Sequence, residues 1–531
     1  MNLNRQRQPI RSNANRTTIP KPLAFLQYVA IGVLLLAAIV NGVRLLSNRG
    51  GPIVSVTDEE LKVAFVGDTG YDEDYLDVLE LIRAEGADFM VHLGDFDYDD
   101  NPNGFFEVTE EVLGDNFPIF AIVGNHDADL WDSNCGHPNG CYADLIASRL
   151  IELGVELDDE SLDDQMYAAT YRGLRMVFVG EDRDADDPTY ASFVTRQLAA
   201  DDQIWKICAW HENQEAMQVG DKDDRMGWEV YEACREQGAI IVNAHTHVYS
   251  RSHTLIDMTH QIVHPHAQRD AVLVGPGQTF VAVPSIGGHS IRDQVRCLPP
   301  EYPYGCKGEW ASIYGADQGA DYGALFITFN VDNDPYKAQG YFKNINGEVI
   351  DFFTITATTT QPTFEAVVLR PLADTFVSSA EPDTNFGSEP LLEVDAAAHK
   401  ISYLKFDISD VDTSRVISAY VRLRVDNPSE DEQFVAIAET NDWDENEITY
   451  NMRLETGPPI FTLPGALDDV WVSLDITNTV RQWTEDEITV VIDSNENDGI
   501  DFVSSDGRAD HPELVLVLSS QRGGAGATPA P

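Results

Sequence analysis

The chain has 531 residues, 43% of them hydrophobic, and a formal charge of −54 from 89 Asp and Glu against 35 Lys and Arg. That apolar content is enough for two or three buried cores. So acidic a surface repels polyanions, which excludes nucleic-acid binding through a basic face.

In chain order, the first element is Leu23–Val40, a run of eighteen residues without charge. At 1.5 Å rise per residue it roughly spans a ~30 Å hydrocarbon core. Arg5, Arg7, Arg11, Arg16 and Lys21 precede it, and only Arg44 and Arg49 follow closely. This excess predicts a cytoplasmic segment (1–22), a transmembrane anchor (23–43), a linker (44–60) and an extracytoplasmic remainder at the cell membrane. A cleaved signal peptide is the rival reading, against which stand the length of the run and the lack of a small-x-small site. The six cysteines fit export. Cys135 with Cys141 and Cys297 with Cys306 read as local loop staples, while Cys208 and Cys234 either pair or stand as buried thiols.

From 61 to 357, apolar strands alternate with helix-length segments, the pattern of a layered α/β domain. Five strands end in residues able to bind a metal. Lys62–Val66 ends in Gly67-Asp68-Thr69-Gly70, Phe89–Leu93 in Gly94-Asp95-Phe96-Asp97-Tyr98, and Ile119–Val123 in Gly124-Asn125-His126-Asp127. Ile204–Trp210 ends in His211, and Ala239–Val242 leads into Asn243-Ala244-His245-Thr246-His247. Ligands of open α/β sheets gather outside the carboxyl ends of strands, so five distant segments converge on one rim. Two cations about 3.5–4 Å apart need a bridging carboxylate, and Asp95 is the candidate. The mixture of carboxylate, imidazole, amide and phenol suits Fe, Zn or Mn better than Ca. A glycine beside Asp68, Asp95 and Asn125 lets the chain turn sharply off each strand.

Residues 358–365 read as a linker. From 366 to 519, short β-branched runs separated by Asp, Asn, Gly and Pro predict an all-β sandwich, and 520–531 read as a flexible tail. Asp493–Asp501 reads as a hairpin turn rather than a calcium loop, its Gly standing one place late for an EF-hand.

The blocks in 61–357 resemble the calcineurin-like metallophosphoesterases, and within them the purple acid phosphatase branch. Tyr98, three residues after Asp95, is the discriminating feature, and His245–Ser252 (HTHVYSRS) and Trp205-Lys206-Ile207 add to the likeness. The resemblance implies a β-sandwich flanked by helices and two metal ions, Fe with Zn, Mn or Fe. It implies Asp68, Asp95, Tyr98 and His247 on the first metal, and Asp95, Asn125, His211 and His245 on the second. A hydroxide held by the metals would attack the phosphorus of a phosphate ester in line with the leaving group. His126 would protonate the leaving oxygen or steady the phosphate. Asp127 would orient His126, or cap the turn. The substrate class implied is a phosphate monoester, with a phosphodiester or nucleotide as alternative.

Other residues carry blander expectations. His92 reads as a packed core histidine, and His253, His260, His264 and His266 as loop surface. Asp97, Asp99 and Asp100 read as a solvated acidic loop, and His289 as a candidate substrate contact. The C-terminal part resembles DNRLRE-type β-sandwich modules, which are similar to certain carbohydrate-binding domains. The likeness rests on Ala373–Val377, Asn385-Phe386-Gly387, Tyr403–Asp407, Trp443 with Ile448–Asn451, and Trp471 with Leu474–Thr477. It implies a cell-surface or extracellular polysaccharide as partner. Trp443, Trp471 and Trp483 either stack on sugar rings or, for at least two of them, lie in the core. A surface glycan-binding protein with an inactive phosphatase domain is the reading from another class.

Overall fold

The computed structural model describes residues 59–520, apart from 133–134, 156, 162–164, 181–186 and 299–300. The expected anchor (23–43), the segment before it, most of the linker and the tail beyond Ser520 lie outside the described residues. Among the described residues, no helix is long and apolar enough to cross a membrane.

Two packed sheets build the first part of the chain. The seven-stranded sheet runs in the order Ala271–Val274, Val349–Ala357, Lys337–Asn344, Gly323–Phe329, Leu61–Val66, Phe89–His92 and Ile119–Ala121. Its last three strands are parallel, with Val63 opposite Phe89 and Met90 opposite Ile119. The eight-stranded sheet runs from Trp310–Tyr314 through Tyr249–Ser252, Val281–Pro284, Ile240–Val242, Trp205–Ala209, Leu174–Val179 and Met166–Tyr171 to Leu157–Ser161. The strands Leu174–Val179, Trp205–Ala209, Ile240–Val242 and Val281–Pro284 are parallel in it. Parallel strands of this kind are covered on both faces, which is why Leu61–Val66 buries five of its six side chains and Leu174–Val179 all six. The core joins the two sheets through Phe65, Val91 and Phe120 from one and Met176, Ile207 and Val242 from the other.

The helices follow local rules. Glu73–Glu85 buries Tyr75, Val78, Leu79 and Ile82, one stripe at helical spacing, and Gly86 ends it in the left-handed conformation. Pro102–Leu113 starts with Asn101 accepting the Gly104 N–H and with Pro102 in the first turn. Disulfides join Cys135 to Cys141, Cys208 to Cys234 and Cys297 to Cys306.

The all-β part begins at Phe364, inside the stretch expected as linker, where Phe364–Leu369 pairs with Glu513–Ser519. One sheet holds these two strands with Val416–Asn427, Ile500–Val503, Leu391–Val394 and Trp471–Asp475. The other is Ala373–Ser378, Lys400–Asp407, Glu487–Ser494, Gln433–Ile437 and Phe461–Leu463. Leu404, Val421, Val490 and Leu516 fill the core between them. Trp443, Trp471 and Trp483 are each half-buried, so none of the three is a fully enclosed core residue.

The two parts touch. Ile256 and Ile262 pack with Val515 and Val517, and Arg422 donates to the carbonyl of His260 at 2.6 Å. Lys307 sits 4.5 Å from the Trp471 ring centre and 3.7 Å from Glu513. His266 is exposed as expected and His260 half-buried, but the reading of His253 and His264 as loop surface is corrected. His264 is buried where the β-sandwich covers the loop, its ring lying edge-on to Phe364 at 5.2 Å, and His253 is buried within the first part of the chain, its ring edge-on to Tyr302 at 5.8 Å.

Candidate metal centre

Three site segments come from the seven-stranded sheet and two from the eight-stranded one, so the rim is shared between two packed sheets. The turns that bring the site segments together are tight. Gly94 has φ 87°, and a Cβ there would lie 2.6 Å from the Gly124 nitrogen. A Cβ on Gly124 would lie 2.2 Å from an Asp95 carboxylate oxygen. Glycine is required at both places because the two loops touch backbone to backbone.

Five site residues hold left-handed backbone: Asp68 (φ 56°), Asp95 (55°), Tyr98 (60°), His245 (73°) and His247 (54°). Each such conformation costs on the order of 1–3 kcal/mol and persists only where the surroundings enforce it. Ala244 is not among them, so the alanine between Asn243 and His245 is carried without that strain.

The side chains meet. His211 Nε2 lies 3.3 Å from Asp95 Oδ2, 3.2 Å from Asn125 Oδ1 and 4.0 Å from Asp68 Oδ1. His247 Nε2 lies 3.5 Å from Asp68 Oδ1. The Tyr98 hydroxyl donates to Asp95 Oδ2 at 3.1 Å and to Asp68 Oδ1 at 3.3 Å. Asp95, His211 and His245 each offer a ligand atom within 4.8 Å of the other two.

The surrounding bonds aim these groups. The His211 Nδ1–H donates to the Leu93 carbonyl at 2.7 Å, which turns Nε2 toward the carboxylates. His247 Nδ1 faces Ser290 Oγ at 2.8 Å, with the same result. Asp68 Oδ2 accepts from the His245 N–H at 2.9 Å and from the Ser285 hydroxyl at 2.5 Å. The donor set fits cations. Asp68 and Asp95 are buried carboxylates, and among the described residues no Lys or Arg forms an ion pair with either. His245 Nδ1 is buried with no hydrogen-bond partner. Buried charge and an orphaned lone pair are costly unless something positive engages them.

Protonation follows the same logic. Burial alone would raise the Asp95 carboxyl, but the His211 imidazolium beside it holds it well below the carboxylate range. Burial would lower His211, yet Asp95 and Asp68 bring it up to about 9. His245 is pushed down to about 2, chiefly by burial and then by His211.

His126 is exposed at the rim, its ring 4.7 Å from that of Tyr98, and its N–H donates to Asp95 Oδ1 at 2.9 Å. The His289 ring stacks on Tyr98 at 3.6 Å. Asp127 corrects one expectation, for its carboxylate does not address the His126 ring. Oδ2 accepts from the N–H of Asp95 (2.7 Å) and Gly124 (2.8 Å), and Oδ1 from Phe96 (3.0 Å), so Asp127 ties two metal-site loops together through their backbone. Asp97, expected in solvent, is buried and accepts from the Tyr142 hydroxyl and the Asp99 and Asn101 N–H groups. His92 is the packed histidine expected. Its Nδ1 accepts from Gly94 N–H, its Nε2 faces Thr69 Oγ1 at 3.0 Å, and burial lowers it to about 3.

Three charged residues at the centre carry no signal in the sequence. Glu212 is buried, with Oε1 3.5 Å from His245 Nε2, and burial, then the Asp95 charge, raises its carboxyl against Arg225 and Lys222. Lys222 and Arg292 lie near enough to interact electrostatically with each other, and Lys222 with Asp68 and Asp95. Glu212 adjoins His211, which is its only trace in the sequence; Lys222 and Arg292 stand in loops with no motif.

Residues 61–249 match the family model of calcineurin-like phosphoesterases, and residues 365–518 that of carbohydrate-binding module family 96. These matches bear out the resemblance to the calcineurin-like metallophosphoesterases and that of the C-terminal part to a carbohydrate-binding β-sandwich module. No curated protein matches the chain. Among solved structures, a purple acid phosphatase from yellow lupin (Lupinus luteus) seeds is 18% identical with a TM-score of 0.40, over 56% of this chain and 54% of that one. The chain thus spans about half the length of that relative. GAP50, the anchor in the inner membrane complex of Plasmodium, is 11% identical with a TM-score of 0.35, over 57% and 90% of the two chains. A carbohydrate-binding module of the β-sandwich superfamily is 12% identical with a TM-score of 0.14, over 37% and 89%. None of these three likenesses carries a function across.

Proposed function

We propose that the chain is a two-metal phosphoesterase hydrolysing phosphate monoesters on the outer side of a cell membrane, with its β-sandwich bound to a polysaccharide. The observation that carries the reading is the meeting of Asp68, Asp95, Asn125, His211, His245 and His247 from five strand ends. Asp68, Tyr98 and His247 would hold one metal and Asn125, His211 and His245 the other, with Asp95 between them. When bound, such metals make water a nucleophile near neutral pH and offset charge growing on phosphoryl oxygens. His126, exposed beside Tyr98, would pass a proton to the departing alcohol oxygen. Lys222 and Arg292 bring positive charge to the same edge, suited to the outer oxygens of a dianionic phosphate. Tyr98, with its hydroxyl on both carboxylates, favours the purple acid phosphatase branch and a ferric ion. The three disulfides support an oxidising compartment.

The test uses purified full-length protein. Metal analysis is expected to give close to two ions per chain, with faster phosphate release from p-nitrophenyl phosphate than from bis-p-nitrophenyl phosphate. Asp95→Asn and His245→Ala are expected to lower turnover at least a hundredfold, and Tyr98→Phe to remove any visible phenolate band. Unchanged turnover in both metal-site variants would sink the catalytic reading and favour the surface glycan-binding protein.

A further inference from the structure

Acids outnumber bases in this chain by 89 to 35, so a cation that no acid has paired is conspicuous. Two such cations stand together at the edge of the metal centre. Among the described residues, neither the Lys222 ammonium nor the Arg292 guanidinium forms an ion pair or a hydrogen bond. They lie close enough to repel each other, and Lys222 is near enough to Asp68, Asp95 and Glu212 to be attracted by them. Its charge is also felt by both His245 and His247, so it faces both halves of the centre. Two neighbouring positive charges, left unpaired and facing a cavity of ligands, are matched to an anion that arrives from outside.

The backbone fixes where these charges sit. Gln218 is 1% exposed and grips the Lys222 peptide from both sides. Its Oε1 accepts from the Lys222 N–H at 3.1 Å, and its Nε2 donates to the Lys222 carbonyl at 2.8 Å. Arg292 is held by its own N–H, which donates to the His247 carbonyl at 2.9 Å. The two segments are also tied to each other. The N–H groups of Val295 and Arg296 donate to the Val219 carbonyl at 3.1 and 3.3 Å, and Arg296 Nη2 lies 3.4 Å from Glu215. With the backbone already ordered, only side-chain freedom is lost when an anion is met.

We infer that Lys222 and Arg292 select a phosphate monoester over a diester, and that Gln218 is the residue that positions Lys222 for this. The inference rests on the phosphoesterase reading above and adds to it what sets the substrate preference. A monoester carries about −1.5 to −2 charges at pH 7. A diester has lost one acidic oxygen to its second ester bond and carries a single charge. Cations beside the centre gain most from the extra charge, and the guanidinium fork suits two phosphoryl oxygens. A second ester group would set an uncharged substituent against them instead.

The test compares kcat/KM for nitrophenol release from p-nitrophenyl phosphate and bis-p-nitrophenyl phosphate by the full-length protein. Lys222→Met and Arg292→Met are each expected to lower the monoester value about tenfold or more and the diester value less than threefold. Gln218→Leu keeps both charges, and is expected to raise KM for the monoester about threefold or more with kcat within twofold. Gln218→Glu, which retains an acceptor for the Lys222 N–H, should recover part of that loss. Calorimetry gives a reading apart from turnover: the rise in Tm produced by inorganic phosphate should shrink in Lys222→Met and Arg292→Met, with metal content unchanged. Arg292 is exposed and Lys222 half-buried, so their variants keep the test decisive if a Gln218 variant fails to fold. Equal losses on both substrates, an undiminished monoester rate, or a wild type that prefers the diester would overturn the selection while leaving the phosphoesterase reading intact. A folded Gln218→Leu with unchanged KM would remove the positioning role. No nitrophenol release from either substrate by the wild type would overturn the inference together with the reading beneath it.

Discussion

Asp127→Ala removes the one acceptor shared by three backbone N–H groups, those of Asp95, Phe96 and Gly124. Asp127 is 2% exposed, so water does not step in for the lost carboxylate. A buried donor left unpaired costs about 1–3 kcal/mol, and three of them cost roughly 3–6 kcal/mol with partial relaxation. Domain stabilities are only about 5–15 kcal/mol. In a domain of a few hundred residues each kcal/mol lowers Tm by about 2–4 °C, so the transition of the catalytic part is expected to fall by roughly 6 °C or more. The same bonds hold Asp95 at φ 55° and press Gly124 against it, so metal content should fall with stability. Asp127→Asn keeps one acceptor oxygen but turns an NH2 toward a donor, and should lie between wild type and alanine. Scanning calorimetry and elemental analysis on the same full-length preparations provide both readouts. An alanine variant that melts within 1 °C of wild type and keeps its metal would refute the tying role.

Glu212→Gln removes the charge 3.5 Å from His245 Nε2 while keeping its shape. Loss of a carboxylate supporting a ligand typically weakens metal binding 10–100-fold, so a chelator competition should show about a tenfold loss at one of two ions, and equal affinity would discount Glu212. His264, buried where the β-sandwich covers its loop, has its basicity lowered by burial, then by His266, to about 4 from 6.5. Its folded form therefore binds a proton less readily than the unfolded chain, so the stability it contributes is present above pH 6.5 and is lost as pH falls toward 4. The difference corresponds to at most roughly 3 kcal/mol. His264→Gln should flatten urea-denaturation stability against pH over that window, and an undiminished slope would place the acid sensitivity elsewhere.

What the sequence disclosed and what it withheld divide along the range of the forces involved. Asp68, Asp95, Asn125, His211, His245 and His247 were legible because each follows directly from an apolar strand, and a strand fixes where its carboxyl end points. The glycines were legible for the same local reason, since Gly94 and Gly124 stand beside the residues they let approach. That three of the five strands would come from one sheet and two from the other was not, because hydrophobic periodicity is alike in both. Asp127 was ambiguous because its side chain could turn outward to His126 or inward to the backbone, and only the nearness of the Asp95 and Gly124 loops decides for three N–H donors over one ring nitrogen. His264 looked exposed because the surface that buries it lies in another part of the chain, beyond residue 363. The three tryptophans show the same limit most plainly. Composition gives each an aromatic plate, but the fold brings Lys405 within 4.8 Å of the Trp443 ring centre and Lys307 within 4.5 Å of that of Trp471, from roughly 40 and 160 residues away along the chain. Chemistry carried by a residue and its strand is written in the sequence; chemistry decided by which distant charge reaches a ring first is written only in the fold.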